Sequence, residues 1–263
     1  MKISVVIQTY NSEKFLEKVL DSVKDFDEIV LCDMYSTDKT LDIAAKYNCK
    51  IVYHEYTGGI VEPARNFAIS QASYEWVLLI DSDEVVTKEL KEYLYKFIET
   101  NKNVNAIRIP RKNYFMGRFM HGSYPDYILR FFKRDFIYWP PVVHAKPKVE
   151  GTTIDIPRKN KELAFIHLVN SSIHTRFEKL NIYTDNEIIR RKNKKYKAYS
   201  LLIEPFGRFV HYYIFKSSYK DGIAGLIFAI QGAVYKYATI AKIMEARTTE
   251  QDYDKELMKN IQE

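Results

Sequence analysis

The sequence predicts an α/β fold with a mainly parallel sheet covered by helices on both faces, followed by a helical C-terminal extension. The first indication is that short apolar runs alternate with segments of helical spacing through the first 110 residues. The second is the run Trp76–Ile80, whose apolar residues are followed at once by carboxylates, as in a buried parallel strand. The third is a change after about Tyr114, where loops and then a basic, aromatic tail replace the alternation.

Five apolar runs of the first half are predicted strands, and the segments between them are predicted helices. The strands are Ile3–Ile7, Ile29–Cys32, Ile51–His54, Trp76–Ile80 and Ala106–Ile109. The helices are one capped by Asn11 or Ser12 and reaching Val23, one within Thr37–Tyr47, one from Pro63 to Ala72, and one capped by Thr87 and reaching Ile98. The second half adds predicted strands at Tyr127–Lys133 and Ala164–Leu168 and a helix from Ser171 or Ser172 to Lys192.

The composition limits the class of partner and the cell compartment. The 263 residues are 46% hydrophobic and 28% charged, which predicts a packed core rather than disorder. The net charge of +6 favours an anionic partner such as nucleic acid, a nucleoside diphosphate or an anionic lipid surface. The two cysteines, Cys32 and Cys49, form no CxxC pair, so we expect neither disulfides nor zinc, and a reducing compartment. The strand-like start, Met1–Gln8, has no basic region before it, so we expect no signal peptide.

Three carboxylates follow the strand Trp76–Ile80, namely Asp81, Asp83 and Glu84. In open α/β sheets ligands bind at the carboxyl ends of the strands. Clustered carboxylates repel one another, and a cation is needed to neutralise them near a low-dielectric edge. Two aspartates separated by one residue can share a hard divalent ion with a phosphate-bearing ligand. This motif therefore predicts chemistry on a nucleotide or a diphosphate.

Three other polar patches are expected at the same edge of the sheet. They are Gln8–Asn11 after the first strand, Asp33–Asp38 after the second, and Glu62–Asn66 at the start of the third helix. Taken one at a time they have structural explanations, since Asn11 and Thr37 can cap helices and Arg65 can be a solvated charge. Four patches on one edge of one sheet favour a binding site.

The motifs of these patches resemble a known family. QTYN, DMYSTDKT, ARN and DSDE, in this order, are similar to the family 2 inverting glycosyltransferases of the GT-A fold. RKNYFMGRFMHGSYPDYILRFFKR, PVVHAKPKVEG, EKLNIYTDNE and EPFGRFVHYYIFKSSYKDGIAGL resemble the lipopolysaccharide-core β-1,4-glucosyltransferase branch, so the resemblance covers about residues 1–243. The chain departs from the family pattern at Met34, where many members have a second aspartate, and at Ala145, where the branch usually has an acidic residue.

The resemblance implies a functional division of the chain and a set of donor-binding residues. Residues 1–110 would be the nucleotide-sugar-binding half of the GT-A domain, 111–200 its acceptor-binding and catalytic half, and 201–263 a helical extension. A divalent cation, Mg²⁺ or Mn²⁺, would stabilise the departing diphosphate. Asp83 is the expected metal ligand, Asp81 would share the metal or hold the ribose, and Asp33 would accept a hydrogen bond from a base such as uracil. The expected donor-binding residues are Thr9, Asn11, Asp33, Arg65, Asp81 and Asp83.

Inversion at the anomeric carbon needs a base opposite the leaving group, and Asp126 is the candidate because it follows a proline-containing loop and precedes a strand. Its structural alternative is an Asx-turn residue. Arg130 is expected to orient Asp126 by an ion pair and to contact the acceptor, and His121 is a second expected acceptor contact. His144 is a candidate third metal ligand, with a structural hydrogen bond as the alternative.

The tail is expected to meet a membrane surface or to pack on the protein. Aromatic and basic residues are interleaved through Phe206–Tyr219, and the apolar stretch Ile223–Ile243 is interrupted by Gln231, Lys236 and Lys242. These interruptions argue against a spanning helix and favour an amphipathic helix on an anionic membrane. A helix packed on the catalytic domain, or a dimer contact, is the alternative, and the oligomeric state stays open.

Together these observations predict a metal-dependent inverting hexosyltransferase. Its donor would be a UDP-hexose such as UDP-glucose, and its acceptor a glycan or glycolipid such as a lipopolysaccharide core. It would act in the cytoplasm, with peripheral contact to the inner face of the membrane. The alternatives are a polyprenyl-phosphate glycosyltransferase and a non-catalytic nucleotide-sugar-binding protein. A nucleic-acid-binding module is disfavoured because the strongest motif is acidic.

Overall fold

The computed structural model describes residues 1–56, 62–140, 146–191 and 193–247. The chain divides into two units. The first unit comprises Met1–Asn113 and Tyr124–Val169, and the second comprises Tyr114–Ser123 and the chain from Asn170 onward. These boundaries differ from the functional division expected at residues 110 and 200, which stays a prediction.

Regular elements alternate along the first unit and give way to helices in the second. The strands are β1 (Ile3–Thr9), β2 (Glu28–Asp33), β3 (Lys50–Tyr53), β4 (Trp76–Asp81), β5 (Glu84–Val85), β6 (Val104–Ile109), β7 (Arg111–Lys112), β8 (Tyr114–Phe115), β9 (Arg118–Phe119), β10 (Ile128–Lys133), β11 (Ile137–Tyr138), β12 (Lys148–Val149), β13 (Thr152–Asp155) and β14 (Phe165–His167). The helices are α1 (Leu16–Val23), α2 (Thr40–Ala44), α3 (Glu62–Ser70), α4 (Lys88–Thr100), α5 (Ile173–Arg190), α6 (Ser200–Val210) and α7 (Gly222–Glu245).

A seven-stranded sheet of order β13-β6-β10-β4-β1-β2-β3 forms the centre of the first unit. The pairs β1–β2, β1–β4, β2–β3 and β13–β6 are parallel, and only β10 runs antiparallel to its neighbours β4 and β6. All five strands expected in the first half belong to this sheet. A second sheet, of order β5-β14-β7, holds the short strands that follow β4 and β6. The expected mainly parallel, mixed α/β fold is confirmed.

Helices bury apolar residues on both faces of the large sheet. On one face, Leu16 and Leu20 of α1 and Leu94 of α4 belong to one cluster of buried residues. On the other face, Ala68 and Ile69 of α3 belong to a separate cluster. Successive side chains of a strand point to opposite faces, so continuous apolar runs such as β4 supply residues to both clusters. This packing fixes the strand ends that carry the polar patches.

The second unit is mainly helical. Helix α7 packs against α5 and α6, and Ala224, Ala229 and Ile240 of α7 are buried. Its apolar residues are not all buried, since Ile223 is 70% exposed. Within the described part of the chain, Ser218–Glu245 is the one segment long and apolar enough to cross a membrane by length and composition alone.

Helix caps were predicted correctly at two positions and wrongly at a third. The side chains of Thr87 and Ser172 accept hydrogen bonds from the backbone nitrogens of Leu90 and Thr175, at 3.2 Å and 3.1 Å, as expected of caps. The cap expected at Asn11 or Ser12 is absent, because α1 begins only at Leu16 and no side chain caps it. The helix expected within Thr37–Tyr47 is the short α2.

Candidate active site

The four polar patches meet at the carboxyl edge of the central sheet, as expected from the strand order. Strand register places Gln8 beside Asp81, and Thr9 beside Asp33. The Arg65 guanidinium of α3 donates a hydrogen bond to Oε1 of Gln8 at 3.2 Å and lies 3.6 Å from Oδ1 of Asp81. Contacts within the described residues therefore join β1, β4 and α3 at one edge.

Asp33 organises the loop after β2 and is fully buried. Its Oδ1 accepts hydrogen bonds from the hydroxyls of Thr9 at 2.7 Å and Ser36 at 2.6 Å, and its Oδ2 accepts one from the backbone nitrogen of Ser36 at 2.8 Å. Asn11, with a left-handed φ of 48°, accepts a hydrogen bond from the backbone nitrogen of Thr37 at 2.8 Å. These side chains hold the loops that border the donor edge. Asp33 accepts three hydrogen bonds in all from these groups, and its expected contact with a base stays a prediction.

Exposed tyrosines lie at or just after the ends of the first three strands, a feature that the sequence analysis did not identify. The rings of Tyr10 and Tyr56 stack with centroids 3.9 Å apart, and those of Tyr35 and Tyr53 with centroids 5.5 Å apart. All four side chains are at least 38% exposed. Met34, at the position where many members of the family have an aspartate, is buried and contributes no polar group.

Asp81 is neutralised by arginines. Arg130 donates a hydrogen bond to its Oδ2, and Arg65 lies near its Oδ1. Burial opposes ionisation of Asp81, but Arg130, Arg65 and Arg111 outweigh it and hold the pKa of this carboxyl below its ordinary value. The cation that we expected the carboxylate cluster to need is thus supplied in part by guanidinium groups. Asp81 is consequently a poorer candidate for a metal ligand than the sequence suggested.

Glu84 is a buried part of the site rather than only the cap of a turn. Its side chain is fully buried, and its Oε2 accepts a hydrogen bond from the backbone nitrogen of Asp81 at 3.1 Å, which closes the turn. Its Oε1 accepts a hydrogen bond from Nη1 of Arg111 at 2.9 Å, and Nε of Arg130 lies 3.5 Å from Oε2. Burial raises the pKa of Glu84, since the two guanidinium groups only partly offset the loss of water.

Asp126 is held at one oxygen and open at the other. Its Oδ2 accepts hydrogen bonds from Nε and Nη2 of Arg111, at 3.0 Å and 2.6 Å, and from the amide of Asn113 at 2.9 Å. Its Oδ1 accepts no hydrogen bond from the described residues, and the side chain is 37% exposed. The expectation that Arg130 orients Asp126 is wrong. Arg130 is 5% exposed and pairs with Asp81 and Glu84, so it also does not fit the expected acceptor contact.

A chain of side chains connects Asp126 to Asp83. Oδ1 of Asn113 lies 2.9 Å from Nδ1 of His167, and Nε2 of His167 lies 3.5 Å from Oδ2 of Asp83. A carboxylate only accepts hydrogen bonds, so the amide nitrogen of Asn113 faces Asp126 and its oxygen faces His167. Nδ1 of His167 is then the protonated nitrogen, and in the neutral ring the lone pair of Nε2 faces Asp83. Two ligand atoms suited to a divalent ion therefore lie side by side.

The sequence analysis assigned no role to His167, Arg111 or Asn113. They lie on or beside β7 and β14, where strand pairing aligns His167 with Glu84 and Phe165 with Arg111. The signal available in the sequence was their place within or near the segments that carried the family resemblance.

Two predicted residues lie outside this arrangement. His144 falls outside the described residues. His121 belongs to the second unit, where its Nδ1 lies 2.6 Å from Oδ1 of Asp221, so its acceptor role stays a prediction. Among the described residues, no group of three or more His, Cys, Asp or Glu side chains converges on one point.

Comparisons with known proteins agree with the expected family. A family model described as Glycosyl transferase family 2 matches residues 4–148, more than half of the chain. The lipopolysaccharide core biosynthesis glycosyltransferase LpsC of Rhizobium meliloti is 26% identical over 257 residues, covering 93% of each chain. An uncharacterized glycosyltransferase, RC0292, of Rickettsia conorii is 26% identical over 259 residues, covering 93% of this chain and 90% of that one.

A solved structure shares the fold. The mannosyltransferase PcManGT of Pyrobaculum calidifontis, in complex with GDP-Man and Mn²⁺, superposes with a TM-score of 0.56 at 16% identity, covering 94% of this chain and 88% of that one. The sheet order, the polar edge and the family match lead to one assignment. The chain belongs to glycosyl transferase family 2 and has the GT-A fold of that family.

Proposed function

We propose that this glycosyltransferase inverts the anomeric centre of a UDP-hexose, with Asp126 as the base and a divalent cation at Asp83. The observation that carries the proposal is the contact chain Asp126–Asn113–His167–Asp83. It connects the candidate base to the candidate metal ligand at one edge of the sheet, through side chains that fix each other's orientation. Such a chain would keep the base at a set distance from the donor diphosphate.

Asp83 and His167 are the residues that would hold Mg²⁺ or Mn²⁺. A carboxylate oxygen and an imidazole nitrogen are suitable ligands, and both side chains are partly exposed, at 28% and 20%. The ion would stabilise the negative charge that develops on the departing diphosphate. Mn²⁺ is present in the structure of PcManGT, which supports a divalent ion in this fold. His144 remains an additional candidate ligand.

Asp126 has the arrangement that a base of a single displacement needs. Three donors fix Oδ2, which leaves Oδ1 to accept the proton of the acceptor hydroxyl. As this proton moves to Oδ1, the acceptor oxygen bonds to the anomeric carbon and the bond to the diphosphate oxygen breaks, releasing UDP. Arg65 at the same edge would pair with a donor phosphate.

The donor and acceptor classes rest on the residues at the edge and on the relatives. Thr9 and Asn11 shape the loops of the donor pocket, and the exposed tyrosines offer ring faces for a base. The similarity to LpsC supports a lipopolysaccharide-core or similar glycan as acceptor. Glucose is the first donor sugar to test, because the sequence motifs resemble a glucosyltransferase branch.

Binding of the ion and of UDP tests the proposal most directly. Mn²⁺ binding, measured by electron paramagnetic resonance in the presence of UDP, should weaken at least tenfold in Asp83→Asn, because a ligand charge is lost. The exposed Asp42 of α2 provides the control, and Asp42→Asn should bind Mn²⁺ like the wild type. The rate of UDP release from UDP-glucose should also fall in Asp83→Asn but not in Asp42→Asn. Equal Mn²⁺ affinity in both variants would remove the metal role of Asp83.

The second unit is proposed to contact the cytoplasmic face of a membrane peripherally. On α6, Leu202, Ile203 and Phe206 lie on one face and are 76%, 63% and 69% exposed. Exposed apolar residues of this kind insert at the boundary between lipid headgroups and acyl chains. Sedimentation with anionic liposomes should fall at least fivefold in Leu202→Gln/Phe206→Gln. The control is Tyr138→Gln, which removes a 51% exposed aromatic ring from the first unit and should sediment like the wild type.

A further inference from the structure

The second unit contains a cavity of about 510 Å³ between α5, α6 and α7 that the proposed reaction does not use. Three cationic side chains line it, namely Arg176 and Lys179 of α5 and Arg208 of α6. No ion pair joins any of the three to a carboxylate of the described residues. The cavity therefore concentrates positive charge.

The acidic residues of this unit are engaged elsewhere, so the excess of positive charge is built into the fold. Of its six described carboxylates, five pair with basic side chains outside the cavity: Glu178 with His174, Asp185 with Lys242, Glu187 with Arg190 and Arg191, Glu204 with Lys236, and Asp221 with His121. The sixth, Glu245, has no ion pair with a described residue and does not line the cavity. An anionic ligand would supply the missing counter-charge.

Aromatic rings hold two of the cations in place. The Arg176 guanidinium lies 3.9 Å from the centroid of Phe115, and its Nε donates to the backbone oxygen of Ser171 at 3.4 Å. The Arg208 guanidinium lies 4.9 Å from the centroid of Tyr212. Burial lowers the pKa of Arg176, which shows that water only partly solvates this charge. Held cations lose less entropy on binding an anion than freely moving ones do.

The remaining wall is aromatic with one amide. Tyr183, Tyr212, Phe228 and Tyr235 line the cavity together with Gln231. The ring of Tyr212 lies against the backbone of α7, where a side chain in place of Gly232 would come within 2.7 Å of it. Apolar faces combined with a few directed polar groups are typical of small-molecule sites. Flat rings beside an amide and cations suit a sugar ring that carries a negative charge.

The position of the cavity on α7 argues against a bilayer lipid as its ligand. Phe228 and Tyr235 face the cavity and are seven residues apart, which places them on one side of the helix. Ile223, Ile230 and Tyr237 repeat at the same interval and are 70%, 46% and 50% exposed. They lie about 200° around the helix axis from Phe228 and Tyr235, on the opposite side of α7. If the exposed apolar face meets the membrane, the cavity is turned away from it.

We propose that this cavity binds an anionic saccharide, with its ring on the aromatic wall and its phosphate or carboxylate between Arg176, Lys179 and Arg208. The choice of a saccharide rests on the proposed function, in which the acceptor is a glycan. The cavity would then hold a charged sugar of the acceptor and select acceptors that carry one.

Ligand-observed nuclear magnetic resonance with the full chain tests the proposal. The probes are glucose 6-phosphate, glucuronate and uncharged glucose. The variant Lys179→Gln/Arg208→Gln removes two exposed cavity charges and should weaken binding of both charged sugars about tenfold or more, because charge-assisted hydrogen bonds are lost. The control Lys216→Gln/Lys220→Gln removes two exposed charges outside the cavity and should stay within twofold of the wild type. Glucose should bind the wild type more weakly than either charged sugar.

Two further measurements separate the alternatives. Tyr183→Ala should weaken the binding of glucose 6-phosphate more than the binding of inorganic phosphate, because the variant removes a ring of the wall on which the sugar would lie. Equal binding of the charged sugars by both double variants, or no binding by the wild type, overturns the proposal. If a cavity variant no longer binds anionic vesicles but still binds glucose 6-phosphate, the saccharide proposal is overturned in favour of a lipid headgroup. UDP binding should be unchanged in every cavity variant. A wild-type protein that does not bind UDP would contradict the proposed function and not the assignment of the cavity.

Discussion

Arg111 joins two carboxylates of the candidate active site, and its replacement by glutamine has a cost that follows from its contacts. The change deletes a 2.9 Å hydrogen bond to the fully buried Glu84 and two hydrogen bonds to Asp126. Breaking a buried ion pair costs ~3–5 kcal/mol when the remaining charge is left alone. Here Nε of Arg130 stays 3.5 Å from Glu84, and water reaches the 37% exposed Asp126. The loss of stability should therefore lie at the lower end of this range. We expect a loss of about 3 kcal/mol in the free energy of unfolding.

The comparison with a surface arginine makes this value testable. Arg108 also pairs with a carboxylate through two hydrogen bonds, to Asp155 at 2.6 Å and 2.8 Å, but its side chain is 51% exposed. Arg108→Gln should therefore cost ~1 kcal/mol or less. Urea denaturation of both variants at constant m-value gives the two free energies. A double-mutant cycle of Arg111→Gln with Glu84→Gln should show a coupling of at least ~1.5 kcal/mol. Equal losses in the two arginine variants, or no coupling, would refute the reasoning.

The other predictions concern the packing of the second unit and the response to acid. Gly225→Ala would place a methyl group 1.8 Å from the backbone oxygen of Ser218, so the melting temperature should fall by an amount equivalent to ~2 kcal/mol or more. In Gly207→Ala the new methyl group meets no atom within 4 Å, so the melting temperature should rise by an amount equivalent to ~0.5–1 kcal/mol. Equal effects of the two substitutions would contradict the packing argument. Burial opposes ionisation of Glu28, but hydrogen bonds from Ser4 and Ser73 outweigh it and lower its pKa. Its stabilisation is therefore full above the unfolded value of about 4.3 and is lost as pH falls through the folded pKa, so urea titrations should show a smaller acid loss for Glu28→Gln than for the wild type.

The strands of the central sheet could be predicted because their signal is local. The run predicted as Trp76–Ile80 forms β4, Trp76–Asp81, since continuous branched and apolar residues between polar stops permit little else. The meeting of the polar patches followed as well, because parallel strands end at the same edge. Thr9 and Asp33, which the register pairs, are examples.

The connections within the site could not be predicted, because they depend on short strands without a periodic pattern. β5, β7 and β14 are two or three residues long, and their pairing is decided by tertiary contacts. Only that pairing aligns His167 with Glu84. The expectation that Arg130 pairs with Asp126 failed for the same reason. Strand spacing favoured Arg130, but the second sheet brings Arg111 to Asp126 and leaves Arg130 with Asp81.

Asn11 shows how a side chain that often caps helices can have another role. Asparagine competes with the backbone for hydrogen bonds and tolerates a left-handed φ, so it suits both a cap and a tight loop. In this chain it adopts a φ of 48° and ties the loop after β1 to Thr37 in the loop after β2. Its local sequence alone did not distinguish these two outcomes.

The most direct test of the proposed reaction is the comparison of transfer and donor affinity in Asp126→Asn. Asparagine keeps the shape of the side chain but cannot take up the acceptor proton. The rate of sugar transfer should fall about 10²–10⁴-fold, while the dissociation constant of the UDP-sugar stays within about twofold of the wild-type value. A donor affinity that falls together with the rate, or a rate that does not change, would contradict the assignment of Asp126 as the base.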